Sequence, residues 1–290
     1  MPPTPIAAVL LRNVALPLSR LLPLGLCLLP ALPLRGGAAP SPDEGRLLSQ
    51  VFLPEDYRGD IQISAVTQTP DGLIYAAALG AIKEYDGREW RSIATPTAWV
   101  LALEASPDGR VWYAANDDIG VLEHGPDGRR RCRSLLDQVP AAAKPLGQAW
   151  FCKVRPDGVY WSAATSVLRW RDGAMHAWTF PEGSDLTLLD TGKALHLAVK
   201  GDALYRLDGE TWTPLSRDAR VARYLLGLFD GWAGKGLMGV DGRGAGWTIA
   251  ADGAVNEALP ALSPEDVGVA VSHAIVLRDG RLALATKGRG

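Results

Sequence analysis

The chain is short of the residues most enzymes work with. It has four histidines, three cysteines and three methionines in 290 residues. The histidines (His124, His176, His196, His273) stand apart, and none has the spacing of a metal-ligand pair. There is no P-loop, HExxH or G-x-S-x-G stretch, so no nucleotide cradle, zinc-protease helix or nucleophile elbow is expected. Residues 234–239 spell G-x-G-x-x-G, but within a glycine-rich run and with no helix start behind it, which excludes a dinucleotide reading. No catalytic residue, metal or cofactor is therefore assigned.

Basic excess is missing too. The net charge is −2, and the first 39 residues hold Arg12, Arg20 and Arg35 with no acid, so the remainder stands near −5. A mildly acidic, well-mixed surface offers no footprint for nucleic acid or an anionic membrane. After residue 39 no apolar run reaches the ~18 residues of a spanning helix.

The first 39 residues read as a secretory signal peptide. A basic start precedes LLPLGLCLLPALPL, a short proline-rich apolar run, and then the small-residue exit GGAAP, with cleavage expected near Ala38 or Ala39. An uncleaved anchor is the alternative. Cys27 follows Leu26 where a lipoprotein signal needs a small residue, so lipidation is not expected. The mature chain would be exported and periplasmic. It keeps Cys132 and Cys152, compatible with one disulfide or with two buried thiols.

Helical periodicity is scarce beyond residue 60; what recurs is a short β-rich run followed by Asp-Gly. Such pairs stand at 71–72, 86–87, 108–109, 127–128, 157–158, 172–173, 208–209, 252–253 and 279–280. Asp-Gly between apolar segments signals a hairpin, expected here as a type I′ turn. Aligned, the units are 61–93, 99–128, 149–173, 186–212, a degraded one around 224–256, and a sixth beginning near Val269. Their mean step of about 42 residues matches the ~40–50-residue period of a β-propeller blade. The fold expected is all-β: four-stranded antiparallel blades, about five complete and a cut-off sixth. Domain boundaries follow as 1–39 signal peptide, 40–60 lead-in, 61–290 propeller.

Within a unit the second strand is aromatic and then small (LIYAAAL, RVWYAA, VYWSAAT). YDGREW at 85–90 returns as LDGETW at 207–212. Asp86-Gly87 and Asp208-Gly209 are expected to turn hairpins, and Trp90, Trp178 and Trp212 to pack between neighbouring blades.

The phrases PDGLIYAAALGAIKEYDGREW (70–90) and PDGRVWYAANDDIGVLE (107–123) resemble the two-component regulator propeller repeats of bacterial sensor proteins. The resemblance is good over 61–212 and holds in outline beyond. It implies the extracytoplasmic sensor region of a histidine kinase or diguanylate cyclase. The transmembrane helix and output domain of such a receptor would lie outside this chain, as would any kinase or cyclase activity. The sixth unit stops after its second strand, which reads as a truncated propeller; closing the ring with a strand borrowed from 46–58 is the alternative.

Propeller geometry puts the loops after the second and fourth strands on one face, where ligands are expected. That face collects Trp99 and Trp150 at blade entrances, Asn116, Asp117 and Asp118 in unit two, Thr165 and Ser166 in unit three, and Lys200 and Asp202 in unit four. Flat indoles beside short polar groups suit a saccharide or another amphipathic small molecule. The competing assignment makes the indoles blade-packing residues and the polar groups ordinary loop residues. The expected function is a periplasmic ligand-sensing module, with homodimerisation in the intact receptor. An exported lyase or lactonase, or a protein-interaction scaffold, are the alternatives.

Overall fold

The computed structural model describes residues 8–9, 50–60, 62–234, 236–263, 270–277 and 280–287. The proposed signal peptide, apart from the strand Ala8–Val9, lies outside the described residues, as does the start of the lead-in.

Five four-stranded antiparallel sheets follow one another in strict chain order. Blade one is Ile63–Gln68, Ile74–Ala78, Ala81–Tyr85 and Trp90–Ala94. Blade two is Val100–Ala105, Val111–Ala115, Asp118–His124 and Arg130–Ser134. Blade three is Phe151–Arg155, Gly158–Ser162, Ser166–Arg171 and Ala174–Thr179. Blade four is Leu186–Asp190, Leu195–Val199, Ala203–Asp208 and Thr211–Ser216. Blade five is Leu225–Asp230, Leu237–Asp241, Gly246–Ile249 and Val255–Leu259. A sixth, three-stranded sheet pairs Ala270–Val276 with Leu282–Lys287, whose other edge takes Ala8–Val9. First strands of consecutive sheets lie side by side, which sets them innermost around a common axis. This is the β-propeller the repeat predicts.

The aromatic-then-small second strands are explained by burial on both faces. Val111–Ala115 is buried at every position. Its Trp112 meets Trp161 of blade three edge-on, centroids 5.9 Å apart, while Tyr113 packs in the layer shared with blade one. Trp161 Nε1 also donates to the Tyr113 carbonyl at 2.9 Å, so the indole is buried without losing its hydrogen bond. Burying each such ring is worth roughly 2–3 kcal/mol.

Ion pairs add a second link between blades. Glu104 of blade two meets Lys153 of blade three at 3.7 Å, Arg155 of blade three pairs with Asp190 of blade four, and Lys193 reaches Asp230 of blade five at 2.9 Å.

Two local expectations change, on turn type and on Trp90, and the open cysteine alternative is decided. The Asp-Gly turns are not generally type I′: among the described residues, Asp172 alone of these aspartates has positive φ (50°), while Gly72, Gly109, Gly128 and Gly253 do. Across Pro156 and Asp157, Arg155 pairs directly with Gly158. In the other three Pro-Asp-Gly turns the glycine N–H donates three residues back (Gly72 to Thr69, Gly109 to Ser106, Gly128 to Gly125), and the turn's first residue then donates to the residue after the glycine. This is a type I turn closed by a left-handed glycine, which leaves Asp in ordinary space. At Asp86 the carboxylate instead accepts from the Arg88 and Glu89 N–H groups, both at 2.9 Å.

Trp178 and Trp212 do pack across blades three and four, 5.9 Å apart. Trp90 makes its ring contacts, among the described residues, with the lead-in and its own blade instead. It is covered by the lead-in, whose Phe52 and Tyr57 lie 5.2 and 5.9 Å away, and it stacks on Tyr85. Among its described residues, 50–60, the lead-in forms the short helix Pro54–Tyr57 and no strand; residues 46–49 of the borrowed strand lie outside the described residues. Finally, Cys132 and Cys152 are both free thiols.

Candidate functional site

One face of the ring is assembled by backbone hydrogen bonds between each blade's second-to-third-strand turn and the linkers between blades. Gly80 N–H donates to Ala98, Asn116 to Trp99, Asp117 to Gly147, Ala164 to Leu146, Lys200 to Asp185, and Gly201 to Ala222, at 2.7–3.1 Å. The two loop sets the sequence assigns to one face are therefore stitched together, and the residues entering the first strands are held at their rim.

Trp99 and Trp150 are the residues immediately before the first strands of blades two and three, and both are exposed (41% and 50%). Neither is buried between blades. Their surroundings differ. Trp99 adjoins only a crevice of about 10 Å³ with Gln62, Ser64 and Leu79. Trp150 stands on a cavity of about 770 Å³, walled by Lys144, Gln148, Thr165, Phe180, Glu182 and Asp185 over a floor of Ala163 and Ala164. The linker from blade two to blade three forms one wall. It is a folded segment, with 3-10 turns Leu136–Gln138 and Ala141–Ala143 and with Leu135, Val139 and Leu146 in the core.

The polar residues predicted from sequence take separate paths. Thr165 lines the Trp150 cavity. Asp117, left-handed at φ 52°, spends its carboxylate on the Gly147 N–H at 2.7 Å and so clamps that wall. Asn116 forms a bridge to Gln148, with its Oδ1 buried and unpaired. Lys200 is ion-paired to Asp185 at 2.9 Å, and Asp202 to Arg217 at 2.6 Å, with the Tyr205 hydroxyl donating to Asp202.

Asp118 and Ser166 are corrections, since both are buried inside their blades (2% and 1% exposed). Asp118 accepts from the Tyr113 hydroxyl at 2.8 Å and from Ser134. Gly120 makes this possible, because a β-carbon there would stand 2.6 Å from the Tyr113 hydroxyl. Burial, with the Asp118 charge nearby, pushes the Cys132 thiol up to about 12, so it stays protonated at neutral pH. At Ser166 the strand alternation turns the side chain into the blade, where its hydroxyl has no partner.

Aligning the blades in space adds a residue that is not evident from the sequence. Tyr224 immediately precedes the first strand of blade five and is 50% exposed, the counterpart of Trp99. Its signal is an aromatic before an apolar run, obscured by the irregular linker RDARVARY and the glycine-rich unit behind it.

The histidines sit elsewhere. His124, His176 and His273 are exposed on strands; His196 is buried in blade four, held at about 4 by burial with Arg206 and Arg155 adding to the effect. No group of three or more His, Cys, Asp or Glu suited to a metal occurs among the described residues. On the opposite face a groove of about 590 Å³ runs between blades two and three, but its charges are largely matched: Arg110 with Asp108, Arg155 with Asp190, Arg171 with Asp172.

No protein-family model matches the sequence, and no curated protein does. Solved structures match it in fold. Virginiamycin B lyase from Staphylococcus aureus is 16% identical with a TM-score of 0.59, over 83% of this chain and 88% of that one. The extracellular domain of the putative one component system BT4673 from B. thetaiotaomicron is 12% identical with a TM-score of 0.57, over 77% of this chain and 30% of that one. The extracellular domain of the putative hybrid two component system BT3049 is 11% identical, TM-score 0.55, over 82% and 34%. The chain spans about a third of those two receptor domains. At such identities the likeness shows the fold alone: this is a β-propeller of a kind found both in lyases and in extracellular receptor domains. No helix among the described residues is long and apolar enough to cross a membrane.

Proposed function

We propose that this chain is the periplasmic ligand-sensing propeller of a bacterial transmembrane receptor, with a histidine kinase or diguanylate cyclase output outside the chain. The observation that carries the reading is the Trp150 cavity. An exposed indole and the Phe180 ring flank a floor of small residues, with Thr165, Gln148 and Ser184 offering uncharged hydrogen-bonding groups. Such a cavity suits a neutral ligand with a flat apolar face and polar edges, a saccharide above all. The fold likeness to extracellular domains of one- and two-component systems supports the sensor context.

Binding signals only if the ligand prefers one of two receptor arrangements. In this reading the intact receptor is a homodimer and the ligand shifts how its propellers associate. The test is calorimetric titration of the purified chain with a panel of neutral oligosaccharides. At least one should bind, and Trp150→Ala should weaken it about tenfold, the equivalent of ~1.4 kcal/mol, with unchanged thermal stability. A panel without a binder, or a Trp150→Ala chain that unfolds while keeping its affinity, would sink the reading.

A further inference from the structure

We propose that the ligand lies across the mouth of the ring, touching aromatic side chains of three blades, and that Tyr224 is its far contact. The inference rests on the preceding reading of this face as the ligand face.

Trp99, Trp150 and Tyr224 each immediately precede a first strand, in blades two, three and five; by strand register Trp99 and Tyr224 are equivalent, and Trp150 stands further along its strand, opposite Ala163. The residue before the first strand is Gln62 in blade one and Asp185 in blade four. Because first strands are innermost, these residues ring the axis at one end. All three aromatics are 41–50% exposed. Single exposed apolar residues are commonplace, but two at one register of a repeat, with a third at the neighbouring blade entrance, form a surface. The backbone beside each is anchored: Asn116 N–H holds the Trp99 carbonyl at 3.1 Å, Trp150 N–H donates to Ser162 at 3.1 Å, and Ala222, two residues before Tyr224, accepts from Gly201 at 3.0 Å. Rings on fixed supports bind with little ordering cost.

Blade five stands three places from blade two in the ring and two from blade three. Tyr224 thus stands on another side of the mouth from Trp99 and Trp150. Charge narrows the class further. At this rim Lys200 is neutralised by Asp185 and Arg217 by Asp202, while Lys144 and Glu182 contribute one charge of each sign. The ligand is therefore an elongated molecule of little net charge, carrying two or more flat apolar faces joined by polar linkages.

The test uses two uncharged dyes, one carrying two naphthyl groups joined by a short polyether and the other its single-naphthyl parent. The double dye should bind at least tenfold more tightly than the parent. Trp99→Ala and Tyr224→Ala should abolish that advantage while leaving the parent bound; Tyr224→Phe, which keeps the ring, should retain it. Trp150→Ala should weaken both dyes. Val66→Ser and Ile275→Ser, exposed apolar positions away from this rim (62% and 58%), should change neither. An undiminished advantage in Tyr224→Ala, or no advantage in the unmodified chain, overturns the spanning ligand. If Trp150→Ala also leaves both dyes unaffected, the ligand-face reading falls with it.

Discussion

Asp117 and Gly147 hold each other by two hydrogen bonds. The Asp117 carboxylate accepts from the Gly147 N–H, and the Asp117 N–H donates to the Gly147 carbonyl, each at 2.7 Å. One residue belongs to blade two and the other to the linker entering blade three, so the pair fixes a wall of the Trp150 cavity. Its charged acceptor makes the side-chain bond the stronger of the two.

Removing that acceptor should loosen the wall rather than unfold the protein. Asp117→Ala also places alanine, which has no side-chain acceptor to support a left-handed backbone, at φ 52°, and should cost about 1–2 kcal/mol. Asp117→Asn, which keeps an oxygen acceptor and tolerates the left-handed region, should recover most of it. Hydrogen exchange at residues 144–149 reads the effect directly; unchanged exchange in the alanine variant would mean the clamp is idle.

His196 should make the fold acid-sensitive. Its folded-state value of about 4 lies below the ordinary 6.5, so the unfolded chain takes up the proton first as pH falls. This contribution to stability is complete above about 6.5 and is lost as pH drops from 6.5 toward 4. Asp108 and Asp218, each lowered to about 2 by an arginine hydrogen bond (Arg110, Arg220), lose theirs only between 3.8 and 2. Denaturant melts between pH 4 and 7 should therefore slope upward with pH. His196→Leu should flatten that slope and leave the steeper loss below pH 3.8; an identical slope in the variant would refute the assignment.

Two glycines with the same backbone should respond differently to alanine. At Gly72 (φ 94°) an added β-carbon would meet nothing within 4 Å, whereas at Gly253 (φ 84°) that atom would stand 2.5 Å from the Leu215 carbonyl oxygen. Gly72→Ala should cost only the left-handed penalty, about 1–2 kcal/mol. Gly253→Ala should cost clearly more, since blade four must shift away from the blade-five turn. Equal melting temperatures for the two variants would show that the blade contact carries no weight.

Much of the architecture is legible in the amino-acid order alone. Glycine after aspartate marks many of the first-to-second and third-to-fourth strand reversals, and its spacing counts five full units and a shorter sixth. The two-sided burial of the second strands of blades one to three is written as aromatic-then-small runs. Turn type is not legible, because Asp-Gly serves equally in a two-residue turn and in a type I turn with left-handed glycine. The choice depends on strand register, which the dipeptide does not encode.

The candidate site is legible only in part, for reasons seen in its residues. Trp99 and Trp150 stand out because each opens a clearly written repeat, and Tyr224 escapes because an irregular linker hides the start of blade five. Asp118 has the look of a loop residue, yet Gly120 opens a path for Tyr113 to reach it inside the blade. Lys200, Asp202 and Asp117 look free and are all engaged, two by ion pairs and one by a backbone N–H. Repeat period, turn positions and the apolar pattern follow from short-range steric and hydrophobic rules, and the sequence determines them by itself. Which polar groups remain available to a ligand is set by partners 15 to 30 residues away. Only the packing of the blades and their linkers decides that, because it brings such distant groups within bonding reach.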